Sequence, residues 1–302
     1  MLKSGCEGKA VRDTLPLSGV DTAMTKLLSG EQVEMMERDG YVAPISVFSA
    51  EQARDYRAKL EAYEASVADR PSKEVLFTLS RFKPNLLFTW LDEICHNETL
   101  LDAMEDLIGP DLLIYSTAFF TKNAHDGNYV PWHQDTTYAA FEGGRYARAW
   151  VAFTDSHPGN GCMRVIPGTH HEQLDHMEEP EDEHNILFRK ERIAANLNES
   201  SAADVILKPG EMSIHNYGVV HGSHPNDSDD RRIGFAITFV TSDTKPGDRL
   251  DTAMLARGRD IGGFWELEER PKADLDDNAR AAHARAMKLR SNHFYPGEAA
   301  AE

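Results

Sequence analysis

The pattern of apolar and polar positions changes character part-way along the chain, helical before residue 110 and strand-like after it. Residues 31–66 read as helix, strand, helix. Glu31 to Met36 leads into a turn at Asp39-Gly40, and Ser49-Ala50-Glu51-Gln52 has the form of a capping box. Behind that cap, Ala53, Tyr56, Leu60 and Tyr63 recur at helical spacing and predict one buried face. A further helix is expected over 86–108, with Leu91, Ile94, Leu100, Leu101, Met104 and Leu107 as its apolar stripe and Gly109-Pro110 as its stop. From there the period shortens. Leu112 to Phe120 is an aliphatic and aromatic run too short for a globular helix, which predicts a buried strand. Strands are also expected at 129–134, 146–154, 162–166, 204–208, 211–216, 218–223 and 232–241, separated by Gly, Pro, Asn and Asp turns. Eight or so short strands with that punctuation predict a mainly β sandwich or jelly roll with flanking helices.

Between Gly168 and Ala203 the strand pattern lapses, and Glu178 to Glu183 is almost wholly acidic. A solvated insertion is expected there, with a mobile cover over a site as the other reading. After Thr241 the chain turns charged and helical, ending in a closing helix over 281–288. The organisation expected is a tail over 1–30, a core domain over 31–245 with the insertion near 170–203, and a helical extension of the same domain over 246–302.

Composition narrows the partners. With 41% hydrophobic and 27% charged residues, the 302-residue chain is an ordinary globular one. Fifty acidic residues against 32 basic give a net charge of −18, which repels phosphate backbones and anionic lipid surfaces. Neither nucleic acid nor membrane is expected as a partner, and no apolar run approaches the roughly 20 residues of a bilayer crossing. Cys6, Cys95 and Cys162 are an odd number at wide spacing, suited to neither zinc nor a disulfide framework. Buried thiols in Cys95 and Cys162 and a reducing cytoplasm are the expectation, since the first residues lack the apolar stretch of a secretory signal.

The first chemical signal is Trp132-His133-Gln134-Asp135. In an extended segment His133 and Asp135 point to one face, so an imidazole and a carboxylate can bind one ion. The second lies some 90 residues on, where His221 ends one predicted strand and Arg232 begins the next. Two histidines and one carboxylate on one face of a metal leave three positions open, which suits ferrous iron binding a co-substrate and oxygen together. His215 and His224 are rivals to His221, and His170, His171, His176 and His184 read as solvated loop histidines.

The blocks WHQD (132–135), AWVAFTD (149–155), NGCMRVIPGTHH (160–171), PGE (209–211) and HGSHPNDSDDRR (221–232) together resemble the phytanoyl-CoA dioxygenase family of iron(II)- and 2-oxoglutarate-dependent oxygenases. The resemblance spans roughly residues 35 to 242. It implies a double-stranded β-helix, the cupin-like jelly roll, with Fe(2+) held by His133, Asp135 and His221 and with 2-oxoglutarate and O2 as co-substrates. It also implies that Arg232 pairs with the far carboxylate of 2-oxoglutarate, that Ser223 hydrogen-bonds it and that Trp150 lines its pocket. Ser116 stands near a position where some members carry a glutamine that contacts the co-substrate. Arginine's forked donor set suits a buried carboxylate. Adjacent strand residues point to opposite sides, so only one of Arg231 and Arg232 reaches the pocket, and Arg232 is the one expected.

Relatives that halogenate have a small residue in place of the carboxylate, so the presence of Asp135 implies hydroxylation of a C–H bond with release of succinate and CO2. The substrate wall is expected to include Phe120, Lys122, Trp132, Tyr138, Phe153 and Arg164, and the two cations would suit a small anionic metabolite. A non-oxidative jelly-roll enzyme of the isomerase type and a non-catalytic small-molecule binder are the competing readings. Oligomeric state is not legible.

Overall fold

The computed structural model describes residues 25–69, 82–138 and 141–294, with side chains described as far as 290. Cys6 and most of the expected N-terminal tail lie outside the described residues. Two capped helices open the fold, α1 (Gly30–Asp39) and α2 (Ala50–Ser66). The expected capping box at Ser49 is present, with Ser49 Oγ accepting from the Gln52 amide and Gln52 returning to the Ser49 amide. Between the helices lies β1 (Tyr41–Ser46).

The single helix expected over 86–108 is broken. A 3-10 turn at Pro84–Leu86 precedes α3 (Thr89–Cys95), and α4 (Glu98–Ile108) starts afresh after His96-Asn97. The cause is Asn97, whose side chain accepts the Leu100 amide and so caps a new helix. Both helices still bury the predicted stripe, including Leu91, Ile94, Leu101 and Met104.

From residue 112 the chain is β. The strands are β2 (Leu112–Lys122), β3 (Val130–His133), β4 (Tyr146–Ala152), β5 (Arg164–Ile166), β6 (His176–Glu178), β7 (Glu191–Ile193) and β8 (Ala203–Asp204). There follow β9 (Glu211–Asn216), β10 (Val220–Ser223), β11 (Arg232–Thr241), β12 (Thr252–Arg257) and β13 (Glu266–Leu267), and α5 (Asp277–Phe294) closes the described chain. Seven strands form one sheet in the order β1-β9-β4-β11-β2-β12-β13, and four form a second in the order β3-β10-β5-β8. An apolar cluster joins them, with Trp150, Ala152 and Ala236 of the large sheet against Met163, Val165 and Val219. This is the expected double-stranded β-helix.

Two expectations need correction. The region after Thr241 is not purely helical: β12 extends the large sheet by pairing with β2, Met254 opposite Ile114, because Ala253 and Met254 are buried within an otherwise charged stretch. The insertion near 170–203 is not simply solvated either. It folds as the β6-β7 ladder and buries Asn185, Leu187, Glu191 and Ile193. Cys95 and Cys162 are free and buried, as expected. Among the described residues no helix is long and apolar enough to cross a membrane.

Candidate metal and co-substrate site

The antiparallel pairing of β10 with β3 sets His221 directly opposite His133. Their rings lie 4.1 Å apart, centroid to centroid. Asp135 opens the 3-10 turn that follows β3, reached through Gln134, which is extended and turns its own side chain the other way. That side chain is buried and pins the chain behind the site, donating to the carbonyls of Glu172 and Gly218. One ligand atom from each of His133, Asp135 and His221 lies within 4.8 Å of the others, and all three residues are buried.

The donor chemistry suits a divalent metal. Each histidine has its Nδ1 against the carbonyl two residues back, Pro131 for His133 and Val219 for His221, both at 3.0 Å. Each Nε2 is thereby left to face the carboxylate, at 3.8 Å for His133 and 3.9 Å for His221. Burial, reinforced by the neighbouring imidazole, pushes His133 down to about 3, and burial pushes His221 down to about 4, so both are neutral donors. Burial alone would raise Asp135, but Arg148 and then His215 hold its carboxyl well below the usual range. Arg148 Nη1 lies 2.9 and 2.8 Å from the two carboxylate oxygens.

Beside this cluster lies a cavity of about 710 Å³. Ser116, Phe120, Tyr138, Trp150, Ser223 and Arg232 are all on its wall. Arg232 is 3% exposed and donates through Nη1 to the carbonyl of Gly161 at 2.9 Å, with its guanidinium 5.2 Å from the centre of the Trp150 ring. Gly234 makes that stack feasible, since a Cβ there would meet the Trp150 ring at 1.8 Å. Arg231, its neighbour on the strand, reaches the cavity's wall elsewhere and is paired with Glu64 of α2.

Four residues expected on the substrate wall are elsewhere. Trp132 alternates with His133 and so faces a separate groove, where Arg164 stacks over it at 5.2 Å and pairs with Glu199 and Asp204. Phe153 belongs to the core, packed on Tyr56, Trp90 and Phe119. Lys122 is fully buried beneath Ser223 and does not line the cavity.

Several cavity residues went unrecognised. Arg148 was legible, since it sits two positions from Trp150 on β4 and must share its face. His215, treated only as a rival ligand, is buried with its Nε2 3.7 Å from Asp135. Tyr217 accepts from Arg148 and donates to Thr238. Asn185 to Phe188 of the insertion close the cavity on one side, a cover that no periodicity announced. Among the loop histidines, His176 is no solvated residue, for its Nε2 accepts the Gln134 amide.

The profile of the phytanoyl-CoA dioxygenase (PhyH) family matches residues 36–234, about two thirds of the chain. This chain belongs to that family. It is 27% identical to a phytanoyl-CoA dioxygenase domain-containing protein 1 homolog of Dictyostelium discoideum, over 50% of this chain and 55% of the relative. To an ectoine dioxygenase of Stutzerimonas stutzeri it is 24% identical, over 66% of this chain and 72% of that one. The solved structure of the non-heme monooxygenase ThoJ, in its apo form, superposes with a TM-score of 0.78 at 34% identity, covering 86% of this chain and 96% of ThoJ. CytC3 with Fe(II) and alpha-ketoglutarate shares the fold, with a TM-score of 0.61 at 23% identity over 84% of this chain and 97% of CytC3. The PhyH chain described here is an iron(II)- and 2-oxoglutarate-dependent dioxygenase.

Proposed function

We propose that the enzyme hydroxylates a C–H bond of a small molecule seated in the 710 Å³ cavity, with His133, Asp135 and His221 as the iron ligands. The observation that supports this most is the full donor set of two neutral imidazoles and one ionised carboxylate, which leaves three metal positions open. When bound, iron(II) with 2-oxoglutarate supplies oxygen activation at the cavity's inner end. The protein's own residues supply the rest. Arg148 keeps Asp135 ionised, and the two backbone carbonyls fix the tautomer in which each Nε2 is the free donor. Arg232 and Ser223 hold the far end of the co-substrate. Phe120, Tyr138 and Trp150 present an aromatic wall that excludes water from the reacting carbon.

The expectation of an anionic substrate rested on Lys122 and Arg164, and neither reaches the cavity. Of the cations on the wall besides Arg232, Arg148 and Arg231 already face Asp135 and Glu64, Lys190 donates to the carbonyl of Asn185, and Arg290 stacks on Phe82 and Tyr115. The wall therefore favours a substrate with an apolar or aromatic portion. Screening small metabolites for stimulated succinate release under labelled oxygen gas tests the proposal. One labelled oxygen is expected in succinate and one in a hydroxylated product. A chlorinated product, or turnover unchanged without oxygen, would contradict it, the latter favouring the isomerase-like alternative.

A further inference from the structure

Lys122 ends β2 with no exposure to solvent, and its strand partner across the ladder is Arg232. Like charges directly opposite on a sheet repel, and burial adds the cost of lost hydration. Among the described residues no carboxylate pairs with either one. Lys122 Nζ donates to Ser223 Oγ at 2.6 Å and to the carbonyl of His224, while Arg232 has one hydrogen bond, to Gly161, and a buried Nε with no partner. Burial and the charge of Arg232 push Lys122 down to about 6, and burial brings Arg232 to about 10. Two basic groups and a hydroxyl thus converge with no carboxylate in ion-pairing contact, Asp126 on the cavity wall acting on both only at longer range, and an anion arriving from the cavity would favour the charged form of Lys122.

Ser223 links them to the cavity. Its oxygen accepts from Lys122 Nζ, so its single proton turns away from Lys122 and is free to be donated to a group in the cavity. The geometry points to Lys122 as a second cation for the far carboxylate of 2-oxoglutarate, a positioning residue that acts through Ser223 and completes the charge of Arg232. This rests on the co-substrate reading above and replaces the substrate-binding role expected for Lys122. It also makes the pocket demand a dicarboxylic oxo acid. A 2-oxo acid with a methyl group in place of the far carboxylate gains nothing from either cation.

The test is calorimetric titration of the anaerobic Fe(II)-loaded protein with 2-oxoglutarate and, separately, with 2-oxopentanoate. Lys122→Met is expected to weaken 2-oxoglutarate at least tenfold and to change 2-oxopentanoate less than twofold, with Lys122→Arg recovering most of the loss. Adding Ser223→Ala to Lys122→Met should cost little more, as expected of two residues acting in series. Unfolding curves of each variant separate a folding defect from a binding one. Equal 2-oxoglutarate affinity in wild type and a folded Lys122→Met would overturn the assignment, as would equal weakening of both oxo acids. If Lys122→Met fails to fold, Lys122→Gln takes its place under the same criteria. Absence of 2-oxoglutarate binding in the wild type would instead overturn the co-substrate reading itself.

Discussion

Among the described residues two lysines are buried, and they are treated in opposite ways. Lys83, 2% exposed, sits at the start of a 3-10 turn and gives its ammonium to the Thr252 carbonyl and hydroxyl at 2.8 and 2.9 Å and to Glu268 at 2.5 Å. Its charge is neutralised inside the protein, and the bonds tie the turn before α3 to β12 and the segment after β13. Lys122 faces Arg232 with no carboxylate in ion-pairing contact. A buried pair answered from within serves the fold, whereas a buried cation left unanswered marks where an anion from outside belongs. The same contrast separates the arginines: Arg148 meets Asp135 and Arg231 meets Glu64, while Arg232 meets no carboxylate.

Substitution should split the two lysines by sign. Lys83→Met would strand the carboxylate of Glu268, whose side chain is 5% exposed, and is expected to cost about 3–5 kcal/mol of stability in urea unfolding, with or without co-substrate. Lys122→Met removes a like-charge contact, so the ligand-free protein should be as stable as wild type or more so. A large loss from Lys122→Met and none from Lys83→Met would break the comparison.

The arginines give the next effect. Arg232→Ala should raise the Michaelis constant for 2-oxoglutarate at least tenfold, about 1.4 kcal/mol or more. Arg231→Ala removes a partly exposed pair with Glu64 and should cost less than about 1 kcal/mol of stability, with co-substrate affinity unchanged. The reverse pattern would place the wrong arginine in the pocket.

Much of this arrangement was legible in the residues. The strand pattern gave a sandwich or jelly roll, the two-residue period put His133 and Asp135 on one face, and the family resemblance picked out His221 from its rivals His215 and His224. The same period separates Arg231, which turns to Glu64 at the cavity's wall, from Arg232, and it turns Trp132 out of the cavity altogether. Lys122 was expected on the substrate wall, but its register opposite Arg232 sets it beneath Ser223, behind the wall, and no pattern in the residues shows that pairing. The cover at 185–188 was only the second reading of the insertion, because its supporting strands β6 and β7 have three residues each, too few to display a period, and two of the insertion's buried residues, Asn185 and Glu191, are polar. The break at Asn97 was a capping signal inside a continuous apolar stripe, where stripe and cap gave conflicting advice.

The central claim is that three ligands from β3, its following turn and β10 hold iron beside a pocket for a dicarboxylic oxo acid. Anaerobic addition of Fe(II) and 2-oxoglutarate, followed by visible absorption, tests it most directly through the metal-to-ligand charge-transfer band. Wild type and His215→Ala should both develop the band, and His133→Ala, Asp135→Ala and His221→Ala should each lose it. A wild type without the band would contradict the account, as would a His221→Ala that keeps it while His215→Ala does not.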